Sequence, residues 1–312
     1  MTLKEIYALA LEMGIGADLR GESRVRKNLA KVQEKFDKMN AEQKEEFDVE
    51  RLSNPYSDTR ILFDNGRPVV KVLVGIDIDP QEIIMAKQLG YDTVIAHHPE
   101  GEALAALGDV MHLQAEVLAQ YGVPINVAQA ITKERISEVT RSVSPANHER
   151  TVDAARLLDI NLICIHTPCD NLAADFLNKI ITTTEIETVG ELMKILKKIP
   201  EYAVAMKHKS GPKVFAGSED NYTGKIALTE ITGGTSNSKE IYEKMSQAGI
   251  GTIVGMHMSE DHKKEAAKHH VNVVIAGHMS SDSLGVNLLL DEIEKRGVVV
   301  APFSGLIRVK RS

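Results

Sequence analysis

The chain has no excess of basic charge: 37 lysines and arginines against 44 aspartates and glutamates leave a net charge of −7, and no basic run stands out. Nothing in this balance draws it toward phosphate backbones, so nucleic acid is excluded as a direct partner. Cysteine is nearly missing too. Cys164 and Cys169 lie on what reads as one strand end, a placement unsuited to disulfide geometry. They read as reduced thiols of a cytoplasmic protein. No stretch approaches the length of a membrane span, and the first residues, Met1-Thr-Leu-Lys-Glu-Ile6, are charged early with no apolar block. A soluble chain is expected, and 312 residues are enough for two domains with separate cores.

What is present begins with helices. Leu3 to Met13 reads as a short amphipathic helix stopped by Gly14 and Gly16, and Val25, Leu29, Val32, Phe36 and Met39 repeat at heptad spacing in a second. That seam must be buried. Packing within the chain is favoured over an oligomer contact, because the run is short. After the break at Asn54-Pro-Tyr-Ser-Asp58 the pattern changes to strand, helix, strand. Strands are expected over 69–76, 94–96, 123–127, 160–165, 202–206, 213–215, 226–231, 252–255, 271–276, 298–300 and 306–309, and one long helix over 104–120. The expected organisation is a helical N-terminal extension at 1–60, a first α/β domain at 61–200 and a second at 201–312.

Chemistry gathers where the apolar strands stop, which is where open α/β sheets place their ligands. The strand at 94–96 ends in His97-His98-Pro99. Adjacent strand residues face opposite ways, so these two rings converge only where the strand gives way to a loop. Taken alone they equally describe two histidines that close a strand. Asp77, at the end of the neighbouring strand, is a candidate to orient a histidine, or a helix N-cap shared with Asp79. The strand at 160–165 runs into His166-Thr-Pro-Cys-Asp170, whose aspartate reads as an ion ligand or as an N-cap. His257 follows the strand at 252–255 as a proton-transfer residue or a loop histidine. His278 and Asp282 lie four apart after the strand at 271–276, so both can face one point. His112 and His148 have no partner at ligand spacing, and His269-His270 closes a helix. The turn Gly233-Gly-Thr-Ser-Asn-Ser238 fails the P-loop spacing and reads first as a tight connection, with a phosphate site as the lesser alternative.

His97, His98, Asp170, His278 and Asp282 are the strand-end residues of ligand type. Three imidazoles and two carboxylates suit a pair of divalent ions such as zinc, manganese, iron or cobalt, and suit neither calcium nor an iron–sulfur cluster.

Three stretches then carry a resemblance: Val72 to Pro99, with Gly-Ile-Asp-Ile-Asp followed by Ala-His-His-Pro; Ile165-His-Thr-Pro-Cys-Asp170; and Gly277-His-Met-Ser-Ser-Asp282. In motif order and context they resemble the Nif-three-like family, whose members often carry the name GTP cyclohydrolase I type 2 homolog. The resemblance covers most of residues 70–312. It implies two α/β domains with a dinuclear metal centre in the cleft between them, a homohexamer, and the same five ligands. The chain departs from the family in three ways. It has Asp282 where the family usually has glutamate, it lacks the family's Trp-Asp-Asn segment, and the stretch after Asp170 is too short for an inserted domain.

The function expected is metal-dependent hydrolysis of a small molecule, a nucleotide or another phosphoester or cyclic amide, with His257 or His166 as general acid or base. The alternative is a non-catalytic metal-binding regulatory protein. No guanine-reading motif is present in the sequence.

Overall fold

The computed structural model describes residues 1–311. Its nine strands are β1 (Thr59–Phe63), β2 (Lys71–Gly75), β3 (Thr93–Ala96), β4 (Asn161–Ile165), β5 (Lys213–Ala216), β6 (Lys225–Glu230), β7 (Ile250–Gly255), β8 (Asn272–Ile275) and β9 (Val299–Pro302). They form two sheets, ordered β1-β4-β3-β2-β9 and β5-β8-β7-β6. Each is parallel except for one antiparallel edge strand, β1 on β4 and β5 on β8. The chain is thus α/β in two units preceded by helices, as expected.

Parallel strands covered on both faces need unbroken apolar runs. Val72, Val74, Ile95 and Ile163 fill one side of the first sheet, while Leu73, Val94, Leu162 and Cys164 fill the other. In the sequence β1 to β4 precede residue 200 and β5 to β8 follow it. The last strand crosses back, however: β9 pairs in parallel with β2, so the tail of the expected 201–312 unit belongs to the first sheet. At the other end, Leu3, Ile6 and Ala10 of the helix Leu3–Gly16 are buried in the first sheet's core. In the helix Glu22–Asp37 only Val25 of the heptad positions is fully buried, and Phe36 meets Phe47 with ring centroids 5.0 Å apart. Leu29, Val32, Phe36 and Met39 stay partly exposed, so the chain itself covers the seam only in part.

Several expected elements take other forms. The stretch expected as a strand at 202–206 is the helix Pro200–Lys207, started by a proline at its first position, where the lost N–H costs nothing. Likewise Pro124 precedes the helix Ile125–Val143 and leaves no strand at 123–127. The helix expected over 104–120 is three short ones, Gly101–Ala105, Leu107–Val110 and His112–Gln120. Residues 306–309 join no ladder, because the Ile307 N–H goes to the Ser283 hydroxyl (2.9 Å) and Arg308 turns to Asp291. β1 was not foreseen at all.

Two long helices position the cleft. His166–Thr183 leaves the end of β4 and His278–Lys295 leaves the end of β8, and they pack against each other across the two units. Their crossing needs a glycine. A Cβ at Gly285 would lie 1.9 Å from the Cys169 carbonyl oxygen, so only a residue without a side chain lets the backbones meet there.

Candidate metal centre

The first sheet delivers a pair of imidazoles by a break in its ladder. In a regular strand successive N–H groups point to opposite sides. Here the N–H of His97 donates to Gly75 O (2.9 Å) and that of His98 to Ile76 O (3.0 Å), both on the β2 side. The backbone therefore turns between the two residues, and both rings reach the cleft, with centroids 5.3 Å apart. The register pairs Ala96 with Cys164, so the histidines leave β3 level with Ile165 and His166.

The second contribution is the same device used twice. His166 and His278 are each the first residue of a long helix, and Asp170 and Asp282 follow one turn later on the same face. Because the helices cross at Cys169 and Gly285, beside these aspartates, the two carboxylates are brought into one cluster. His97 Nε2 lies 3.3 Å from Asp170 Oδ1 and 3.5 Å from Asp282 Oδ1. Asp282 Oδ2 lies 3.5 Å from His98 Nε2 and 3.6 Å from His278 Nε2, and Asp170 Oδ2 lies 3.6 Å from His166 Nε2.

These approaches are too poorly aligned to be hydrogen bonds. Both ring nitrogens of His97, Oδ1 of Asp170 and both oxygens of Asp282 are buried without a partner. Burying such groups unpaired is costly, and a cation between them removes the cost. Electrostatics agree. Burial alone would discharge His97, but Asp282 and Asp170 push its pKa well above the imidazole value. Burial would raise Asp282, yet His97, His98 and His278 hold it far below the carboxylate range. Three overlapping trios, His97–His98–His166, His98–His278–Asp282 and His97–Asp170–Asp282, have donor atoms close enough to share an ion. These buried groups could hold metal ions.

Two carboxylates outside the cluster fix its rings. Asp77 Oδ1 accepts from His98 Nδ1 at 2.7 Å, while the Asp79 N–H is taken by Glu82 in a helix cap, so of its two expected roles Asp77 takes the one of orienting a histidine. Asp58, fully buried, accepts from His166 Nδ1 (2.8 Å) and the Thr167 hydroxyl (2.7 Å). Each bond leaves Nε2 to face the cluster, the orientation that metal-binding histidines adopt. Cys169 is buried, which pushes its thiol pKa up.

The cleft continues past the cluster to the second sheet's loop. Glu230, Thr232, Ser236 and Met256 line it together with His257, His278, His166 and Asp170. His257 stands at the mouth, its ring centroid 4.9 Å from that of His278 and its Nδ1 3.4 Å from the Ser236 hydroxyl. Desolvation of its inner edge lowers its pKa.

The structure brings all five proposed ligand residues into this cluster, with His257 and His166 beside them. His148 bonds Val143 O (3.0 Å) and His269 ends a helix near Glu265, both away from the cleft. Asp58 and Glu230 are additions that sequence reasoning missed. Nothing local marks Asp58. The doubled His-x-x-x-Asp after β4 and β8 was there to be read, and would have placed His166 on the same footing as His278.

No family model matches the chain, and no curated protein matches it significantly. Among solved structures, a NIF3 superfamily protein from Sphaerobacter thermophilus is similar over 98% of this chain and 99% of its own, at 25% identity and a TM-score of 0.78. Reduced HcgD from Methanocaldococcus jannaschii matches over 78% of this chain and 87% of its own, at 14% identity and a TM-score of 0.47. A Bacillus cereus protein related to NIF3 matches over 78% and 89%, at 14% identity and a TM-score of 0.43. The first of these likenesses spans nearly the whole of both chains.

Proposed function

We propose, from the premise that the chain belongs to the NIF3 superfamily, that its cleft holds two divalent cations and carries out metal-dependent hydrolysis of a small molecule. One observation carries the reading: the buried nitrogens of His97 and carboxylate oxygens of Asp170 and Asp282 face one another with no hydrogen bonds.

His97, His98, Asp170, His278 and Asp282 would hold the ions, and Asp282 lies near three of the imidazoles. A donor set of imidazoles and carboxylates suits zinc, manganese, iron or cobalt. When bound, such a pair supplies Lewis acidity at a carbonyl or phosphoryl oxygen and a water of lowered pKa.

The chain's own groups do the rest. His257 has a pKa below the usual imidazole value, so it is neutral near pH 7 and can take a proton and return it to a leaving group. His166 has Nδ1 committed to Asp58 and Nε2 turned to Asp170, which suits it to holding an ion rather than carrying protons. Phosphoesters, amides and purine-ring carbons are the candidate reacting centres. A cytoplasmic homo-oligomer, six copies by the family's habit, belongs to the same proposal.

Elemental analysis of the purified protein tests it. Bound metal should be stoichiometric, and His97→Ala and Asp170→Ala should each lose it; unchanged metal in both variants means the ligands are wrong. A screen of nucleotide, phosphoester and cyclic-amide hydrolysis on the loaded protein then separates an enzyme from a non-catalytic metal-binding regulator.

A further inference from the structure

Beyond β9 the chain makes a turn at 303–306 that reaches both arms of the cluster. The Leu306 N–H returns to Phe303 O (3.1 Å), and the two residues between them, Ser304 and Gly305, have φ of 42° and 87°. Positive φ at both central positions makes this a type I′ turn. Asparagine, aspartate and glycine take such positions at little cost, and serine does not. A non-glycine residue held at positive φ beside a candidate site raises the question of what its side chain does there.

The Ser304 hydroxyl donates to the carbonyl oxygen of Asp77, and the Ile76 N–H donates to Ser304 O (3.0 Å). These are the two residues that hold His98. The His98 N–H donates to Ile76 O (3.0 Å), and the His98 ring is fixed by the Asp77 carboxylate. Backbone and ring of His98 thus each hang from a residue that Ser304 bonds. His97 is outside this arrangement, because its N–H goes to Gly75 O and its ring nitrogens bond no protein group.

The other side of the turn faces the helix His278–Lys295. A Cβ at Gly305 would lie 3.5 Å from Met279 Sδ and 3.7 Å from Ile76 Cγ1, so the turn passes between the two arms. Just past it the Ile307 N–H donates to Ser283 Oγ (2.9 Å), and that hydroxyl donates on to Met279 O (2.6 Å). Met279 follows His278, and Ser283 follows Asp282. Segment 303–307 is therefore tied on one side to the neighbours of His98 and on the other to the neighbours of His278 and Asp282. Those three residues are one of the trios close enough to share an ion. They form the open end of the cluster, with the His98 and His278 side chains 24% and 37% exposed, while His97, in the trio with Asp170 and Asp282, is inaccessible.

We propose that the turn at 303–306 is a clasp that sets the outer of the two cation positions, with Ser304 as a positioning residue that acts through Asp77 on His98. The inference rests on the two-cation reading of the cleft and assigns the outer ion to His98, His278 and Asp282. The serine hydroxyl holds the Asp77 backbone, the Asp77 carboxylate holds the ring, and Nε2 is left facing Asp282. The strained φ at Ser304 is kept because a glycine there would relieve the backbone and lose the hydroxyl.

The test loads the full-length protein with cobalt(II), withdraws the ions with a chelator while following the visible bands of the metal, and records nitrogen NMR spectra of the imidazoles on samples freed of metal. Two variants separate the hydroxyl from the turn. Ser304→Gly removes the hydroxyl and relieves the backbone, so the metal-free protein should melt no lower than wild type. Ser304→Ala removes the hydroxyl and keeps the strain, so it should melt lower. Both should bind the first-released cobalt about ten-fold more weakly than wild type, hold the other as wild type does, and shift the ring signals of His98 but not those of His97. Cobalt affinity that is unchanged in Ser304→Gly, that falls alike for both ions, or that follows the melting temperature instead of the hydroxyl overturns the clasp. A wild-type protein that takes up no cobalt, or a single ion, sinks the two-cation reading instead. The clasp is then decided by the imidazole spectra, where a moved His98 signal upholds it and an unmoved one overturns it.

Discussion

Two of the imidazoles that enter the cluster from the first sheet, His98 and His166, have a carboxylate behind them, and the two carboxylates differ in burial. Asp58 is inaccessible, whereas the Asp77 side chain is 66% exposed and touches the cluster only through His98. Removing Asp77 therefore separates orientation from folding. Asp77→Ala should leave the melting temperature nearly unchanged, as exposed substitutions do. On the scale of other residues that orient metal-binding histidines, it should weaken metal affinity roughly ten-fold, read by competition with a chelator. Equal affinity would mean that the backbone turn at His97 and His98 orients the rings unaided. His98 also loses the bond that, with Asp282, holds its pKa up against burial.

The pair of helices His166–Thr183 and His278–Lys295 is the unit on which the cluster depends, and its tightest point is Gly285 against Cys169. Gly285→Ala would force the backbones apart beside both aspartates. Overpacking of this kind costs ~1–3 kcal/mol, and here the displacement should appear as metal loss together with a lower melting temperature. Retained metal would show that the helices can slide without opening the site. Much of this arrangement was legible beforehand. The strands at 94–96, 160–165 and 271–276 end in ligand-type residues because buried parallel strands are uniformly apolar and their ends stand out. The failures lay where local pattern and tertiary context part. A run such as 202–206 is apolar enough for a strand, yet Pro200 starts a helix that buries Tyr202 against Ser281. Gly285 and Asp58 could not be found either, since their importance lies in a neighbour more than 100 residues away, Cys169 for one and His166 for the other.

Across the whole molecule the two units are sewn together by polar side chains as well as by the helix pair. Asn171, next to Asp170, donates to Gly14 O (3.1 Å) and the Tyr56 hydroxyl (3.1 Å), and accepts from Thr232 (2.6 Å) on the far wall of the cleft. The tail closes a second link. Beyond β9, Arg311 forms a two-pronged ion pair with Glu201, 2.6 Å at each prong, and Glu201 is wholly buried in the helix Pro200–Lys207. Taking away the arginine leaves a buried carboxylate with only Asn287 to satisfy it. Arg311→Met should cost ~3 kcal/mol, measured by urea denaturation. A change below ~0.5 kcal/mol would mean that the tail is incidental. The cluster also has an order in time. Its donors are issued from the ribosome in two instalments, His97 through Asp170 first and His278 with Asp282 more than 100 residues later. A cation caught by the nascent chain would therefore be held by an incomplete set, and the finished grip would come only when the last long helix has emerged and docked.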